Sequence, residues 1–535
     1  MSASLVIRGG TVHDGSGGPG RVADVLVEGD RIVAVGPEAG GHDAPSLDAT
    51  GLVVAPGFVN VLSHAYFTLE TDGRGLSDLY QGVTTQVFGE GISIGPFTPA
   101  VRAELEAVFG PATPPLVWER LSEFLAHLES KGVVQNVASF VGAENLRMIG
   151  AGSEDRPMTA AELSHVRGVL DEEMADGALG LGSALIYPPG CFAPTDELVA
   201  LCEVVARYDG MYISHLRSEG DHFLDAVDEL IEIGRRAEVR AEIYHLKAAG
   251  RRNWPKMARA VEKVEAARAA GLPVTADIYP YLAGQTHLAA SIPPHFHEGG
   301  HEALVARLAD PAERARIHEG VRTPSERWEN IYLASGGADG VMLLPDPKGP
   351  VARYRGLSLQ QTAEERGADP VETLLCLVEQ DPSLHAMYFM MDEEVLRTAL
   401  RNPWVSVGSD AETFAAEPPH TDVPTHPRAY GTFARVLGRY VREQGLLTLG
   451  EAVRRMTSLP AANLGLRDRG LLTPGAYADI VVFDPATVGD LATYEDPHRY
   501  ARGIRHVVVN GTAALADGVP TGQLPGRALR RGRSR

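Results

Sequence analysis

The sequence predicts an α/β protein: a (β/α)8 barrel of the TIM type over residues 55–465, with a small β-sandwich built from both termini, 1–54 and 466–535. Three observations predict it. The middle of the chain alternates short apolar strands with amphipathic helices over about 400 residues. Both ends are rich in β-type runs and turns. No Gly-rich fingerprint marks an open nucleotide-binding sheet.

At the N-terminal end, Leu5-Val6-Ile7-Arg8, Asp24-Val25-Leu26-Val27-Glu28 and Arg31-Ile32-Val33-Ala34-Val35 read as strands, with Gly29-Asp30 as a turn. At the other end, Ala478-Asp479-Ile480-Val481-Val482-Phe483-Asp484 and Val507-Val508-Val509-Asn510-Gly511 carry the same signal. A unit assembled from both ends implies a middle whose own ends are adjacent. In that middle, 84–88, 211–214, 241–244, 274–278 and 405–407 read as strands, and 199–208, 222–237 and 255–270 as helices. Residues 291–350 interrupt the alternation and are expected to form a lid or insertion over the site. The arginine-rich segment 524–535 reads as a solvated tail.

Composition narrows the function. Lys+Arg 49 against Asp+Glu 70 gives a formal net charge of −21. Such a chain is repelled by phosphate backbones, which argues against nucleic acid. Cys191, Cys202 and Cys376 are too few and scattered for a disulfide framework and read as small buried hydrophobes. No apolar run reaches the ~18 residues of a membrane span, and no leader pattern precedes Leu5. The expectation is a soluble, cytoplasmic protein. Only five lysines occur, so a lysine within a motif is informative.

In such barrels chemistry sits at the C-terminal ends of the strands. There the chain places Glu90 after Val87-Phe88-Gly89, His215 after Tyr212-Ile213-Ser214, His245 after Ile243-Tyr244, and Asp410 after Val407-Gly408-Ser409. Two imidazoles and a carboxylate suit Zn²⁺, and a second carboxylate can take the proton of an attacking water. The first strand departs from this pattern. Residues two apart on a strand face the same way, so a His-x-His pair could aim two imidazoles at one metal, but here it reads Leu62-Ser63-His64.

The chain resembles the amidohydrolase superfamily and, within it, the D-aminoacylase (N-acyl-D-amino-acid deacylase) family. The residues that carry the resemblance span almost the whole length. They include Ala55-Pro-Gly-Phe-Val, Gln81-Gly-Val-Thr-Thr, Gly177-Ala-Leu-Gly-Leu-Gly182, Tyr187-Pro-Pro-Gly190, Ser214-His-Leu-Arg217, His245-Leu-Lys-Ala-Ala-Gly250, Tyr279-Pro-Tyr281, Gly408-Ser-Asp410 and His426-Pro-Arg-Ala-Tyr-Gly-Thr-Phe433. The resemblance implies a zinc on Glu90, His215 and His245, with Glu90 standing where the family has Cys. It implies Asp410 as the catalytic acid–base, and Lys247 and Tyr279 as contacts for the substrate carboxylate. Arg428 is read as a further anion contact and Tyr187 as a residue of the substrate pocket, while Tyr281 reads as packing and Glu412 as a supporting or solvated carboxylate. With Leu62 in place of the first His, one zinc per chain is expected. His64 is left to line the pocket, and the space at Leu62 is left to substrate. The expected substrate is a small-molecule N-acyl amino acid. Three alternatives stand beside this reading: an Nε-acyl-L-lysine deacylase, a cyclic-amide hydrolase, and a catalytically silent ligand-binding relative.

Overall fold

The computed structural model describes residues 4–39, 44–109, 114–325 and 328–531. Apolar β-branched runs form eight successive parallel strand segments: Phe58–Asn60, Val83–Phe88, Asn136–Ser139 continuing in Val141–Gly142, Gly180–Ala184, Met211–His215, Arg240–Ile243, Val274–Ile278 and Val405–Val407. Each pairs in parallel with the next. The last meets the first, where Ser63 bridges Ala411 and the Asp410 N–H donates to the Leu62 carbonyl at 2.9 Å. This is a mixed α/β fold of the TIM-barrel type. The strands are buried on both faces, polar residues such as Gln86, Glu242 and Asp277 included. Val59, Leu62, Val87, Phe140, Ile213 and Tyr244 belong to one cluster inside the strand ring, joined by Ala461 and Leu464, while a larger cluster joins strands to the outer helices.

Helices pack where periodicity predicts them, as Thr195–Arg207, Phe223–Ala237 and Lys256–Ala269. Phe223–Ala237 buries Phe223, Val227, Leu230 and Ile233, spaced three and four apart, and ends at Glu238 in the left-handed region.

The two chain ends share one sheet. It runs through Val519–Pro520, Thr512–Ala516, Ile504–Val509, Ile480–Phe483, Val53–Pro56, Ser4–Val12, Arg21–Glu28 and Arg31–Val35, with Ser46–Asp48 beside Ser4–Val12. Pairing is continuous through all nine strands. The sequence shows the strands but not which edges meet. Asp479 ties this sheet to the strand ring. It pairs with buried Arg469 and accepts from Asn136, whose amide oxygen in turn accepts from Asn510.

Three expectations are corrected. The insertion is larger than 291–350. Ala283–His287, Val341–Leu344 and His385–Phe389 form a separate three-stranded antiparallel sheet, and the helices Gly300–Ala309, Pro311–Arg322 and Pro370–Gln380 cover it around a core of their own. The tail is not solvated through its described part. Leu529 N–H donates to the Val137 carbonyl at 2.8 Å, Arg527 pairs with Asp30 at 2.6 Å and Arg531 donates to the Leu464 carbonyl at 2.7 Å; residues 532–535 lie outside the described residues. Of the cysteines, Cys202 is buried, but Cys191 and Cys376 are half-buried, and all three are free thiols. Among the described residues, no helix is long and apolar enough to cross a membrane.

Candidate metal centre and active site

Close backbone approaches aim the ligands. Gly89 turns the chain after Phe88 with φ +107°, and a Cβ there would lie 2.5 Å from the Phe140 carbonyl. Two strands along the ring, a Cβ at Gly182 would lie 2.0 Å from the Gly89 carbonyl. Only glycine fits both positions, and together they let Glu90 turn inward. His245 and Asp410 are non-glycine residues with positive φ, 34° and 51°. Such strain persists only where the surroundings enforce it, and it concentrates at functional sites. The Asp277 carboxyl accepts the His245 N–H at 3.1 Å, and the Leu62 carbonyl holds the Asp410 N–H.

The predicted ligands converge. Glu90 Oε1 lies 3.1 Å from His215 Nδ1 and 3.0 Å from His245 Nε2. Glu90 Oε2 lies 3.1 Å from His64 Nε2, which is also 3.1 Å from Asp410 Oδ1. Two sets of side chains thus have metal-ligand spacing, Glu90–His215–His245 and His64–Glu90–Asp410, each with its donor atoms within 4.8 Å of one another. Two imidazoles and one carboxylate in the first set match the donors that suit zinc. The second set shares Glu90 and offers one imidazole.

The buried carboxylates and imidazoles shift one another's proton affinity. Burial opposes charge on His245, as does Lys247, but Glu219 and Glu90 raise its pKa to about 10. Burial likewise opposes charge on His64, yet Asp410 and Glu90 raise it to about 10. Burial would raise the Glu90 pKa, but His245, His215 and His64 hold it well below the ordinary carboxylate range.

Glu219, which sequence reading missed, supports both histidines from behind. Its carboxylate lies 3.0 Å from His245 Nδ1, 3.5 Å from His215 Nε2 and 2.6 Å from Lys247 Nζ. A carboxylate behind each ligating imidazole fixes its orientation and tautomer. The only sequence signal was its place four residues after His215. Lys247, expected at the substrate carboxylate, is buried and ion-paired to Glu219. A cavity of about 440 Å³ lies next to this loop, bounded by Trp254, Trp328 and Phe389, and does not include the metal sets.

Asp410 faces His64 through one oxygen and Arg428 through the other, with Arg428 Nη1 at 2.7 Å. Burial would raise the Asp410 pKa, but Arg428 and His64 hold it below the usual range. Arg428 thus touches Asp410 as well as standing over the Tyr279 ring, at 4.7 Å from its centroid. Lys247 stands 5.7 Å from the same ring. The Tyr279 hydroxyl is fully buried with no hydrogen-bond partner. Tyr187 lies edge-on to His215, 5.4 Å between ring centroids. Tyr281 packs against His426 and Tyr494. Glu412 is half-buried, and burial raises its pKa to about 7, with His64 acting against that. Leu62 does not border open space: it is 1 % exposed and packs in the strand-ring cluster.

This constellation at the C-terminal ends of parallel strands defines a metal-dependent hydrolase of the amidohydrolase kind, and the comparisons agree. Residues 46–514 match the model of the amidohydrolase family, and the chain belongs to that family. Among its relatives, the D-aminoacylase of Alcaligenes xylosoxydans xylosoxydans is 35% identical, covering 98% of this chain and 97% of its own. The N-acyl-D-glutamate deacylase of the same organism is 36% identical, over 98% and 96%. A crystal structure of N-acyl-D-glutamate deacylase from Bordetella bronchiseptica, complexed with zinc and a phosphonate mimic of the tetrahedral intermediate, superposes with TM-score 0.83 at 32% identity, over 99% of this chain and 100% of that one.

Proposed function

We propose that the protein is a zinc-dependent deacylase that cleaves the linear amide of an N-acyl amino acid. The observation that carries this reading is the convergence of Glu90, His215 and His245 beside an ionised Asp410. Glu90, His215 and His245 would hold the zinc, which when bound supplies Lewis-acid polarisation of the scissile carbonyl and a lowered pKa for the attacking water. Tyr279, with its unpartnered hydroxyl between Lys247 and Arg428, receives the substrate carboxylate. Asp410 accepts the proton of the water that attacks the carbonyl carbon. As the C–N bond breaks, Asp410 returns that proton to the departing nitrogen. The products are a carboxylic acid and a free amino acid.

One zinc per chain is expected. The second set offers a single imidazole, and Arg428 draws on the other oxygen of Asp410. Metal analysis of the purified protein should give about one zinc per chain; two tightly held ions would overturn this stoichiometry. The reaction is tested with the zinc-loaded protein on N-acetyl-D-amino acids, N-acetyl-L-amino acids and Nε-acetyl-lysine. Release of acetate from an α-N-acetyl compound supports the reading. Turnover of Nε-acetyl-lysine alone would move the cut to the side-chain amide, and no turnover of any would sink it.

A further inference from the structure

Two histidines of the insertion's three-stranded sheet belong neither to the metal sets nor to the anion pocket. His287 ends the Ala283–His287 strand, His385 opens the His385–Phe389 strand, and the antiparallel register sets them opposite each other. Cross-strand partners share a face of the sheet, and the two rings meet edge to face with centroids 4.1 Å apart. The strand that carries His287 lies beside Tyr279 and Tyr187 of the candidate site. A Cβ on Gly284 would lie 3.5 Å from the Tyr279 hydroxyl. The Thr286 hydroxyl is hydrogen-bonded to Tyr187, whose ring lies against His215. His385 in turn feels the charges of His64 and Arg428. Gln285, Thr286, His287 and His385 are all half-buried.

Hydrogen bonds set what each ring can offer. His287 donates one ring N–H to the Ser383 carbonyl, which leaves its other nitrogen an acceptor. The Gln285 amide nitrogen lies 3.2 Å from His385 Nδ1. With that amide donating, His385 carries its proton on Nε2 and is a donor. Burial, first of all, lowers the pKa of both rings, so both are neutral at neutral pH. The pair therefore offers one donor, one acceptor and no charge.

We propose that His287 and His385 select the substrate side chain, and that they take an N-acyl amino acid bearing a primary carboxamide, of the glutamine or asparagine kind. The carboxamide oxygen accepts from His385 Nε2–H, and its NH₂ donates to the free nitrogen of His287. A carboxylate has no donor for His287 and would lose part of its water against two neutral rings. An aliphatic side chain would leave both ring nitrogens unpaired. The cations at the cleft, Lys247 and Arg428, already face Glu219 and Asp410.

This inference rests on the deacylase reading, and two measurements separate the two. The first is kcat/KM of the zinc-loaded enzyme for N-acetylglutamine, N-acetylglutamate and N-acetylleucine, in both enantiomers. The second is the calorimetric Kd of the same compounds for the zinc-loaded Asp410→Asn protein. Glutamine should be preferred over glutamate and leucine by about tenfold or more, carried by KM. His287→Leu and His385→Leu should each erase that preference, whereas His385→Gln, which keeps a donor, retains it. No preference in the parent protein, or one that survives both leucine substitutions, overturns the selector. If nothing is hydrolysed but the Kd values still favour the carboxamide, the selector stands and the deacylase reading falls. If all three are hydrolysed alike, only the selector falls; if nothing is hydrolysed and the Kd values do not discriminate, both fall.

Discussion

Asp410→Asn is expected to lower kcat by about 10³-fold or more while the zinc stays bound, since general acid–base catalysis contributes about 10² to 10⁴ and here one group serves both proton transfers. The amide keeps the size of the carboxylate and can still meet Arg428, but it cannot take a proton from water or return one to the departing nitrogen. Metal content measured beside kcat makes the result specific. Activity within tenfold of the parent would remove Asp410 as the base. Loss of both zinc and activity would make it a ligand, a role its place in the His64–Glu90–Asp410 set also permits. The pH profile carries a second expectation. Asp410 sits below the usual carboxylate range, so it stays ionised well into acid. His245, by contrast, rises to about 10 when no cation is present. Acidification should therefore remove activity by protonating His245 and releasing the metal before it neutralises the base, and activity should track bound zinc.

The parts of this site that sequence made legible are those fixed by strand periodicity. Glu90, His215, His245 and Asp410 each follow an apolar run, and parallel neighbours bring such ends to one rim. What stayed hidden depends on contacts between distant segments or on conformation. Glu219 lies in the loop after Met211–His215, where no periodicity marks it, and its partners come from two strand ends. The left-handed backbone at His245 and Asp410 carries no glycine to announce it. The insertion was underestimated because its sheet pairs Ala283–His287 with His385–Phe389, strands far apart in the chain. Its helices also continue the alternation that signals the barrel. In sequence Leu62 stands out only by the imidazole it replaces, whereas its surroundings, Ile213 and Tyr244 among them, make it part of the core.

Glu219→Gln is expected to weaken zinc binding by about 10- to 100-fold, the usual cost of losing a carboxylate behind a ligating histidine. Glu219 meets both ligand histidines and Lys247, so the upper end of that range is expected. The glutamine can still touch Lys247 through its oxygen, but it no longer balances the ammonium. Lys247, lying 2.7 Å from His245 Nδ1, then opposes any positive charge on that ring. The sign of the proton linkage follows. In the metal-free parent, burial and Lys247 disfavour the charged ring but the carboxylates win, and His245 titrates near 10. A group whose pKa is raised on folding stabilises the folded state fully below its unfolded value, near 6.5, and that contribution is lost as pH rises towards 10. The chelated parent should therefore melt at progressively lower temperature from pH 6.5 to 10, and the chelated Glu219→Gln protein should show a shallower decline. Zinc uptake by the parent should release protons throughout that window, because the imidazole must give up its proton to bind metal, and the variant should release fewer. Zinc affinity and proton release both unchanged in Glu219→Gln would show that His215 and His245 hold their orientation without it.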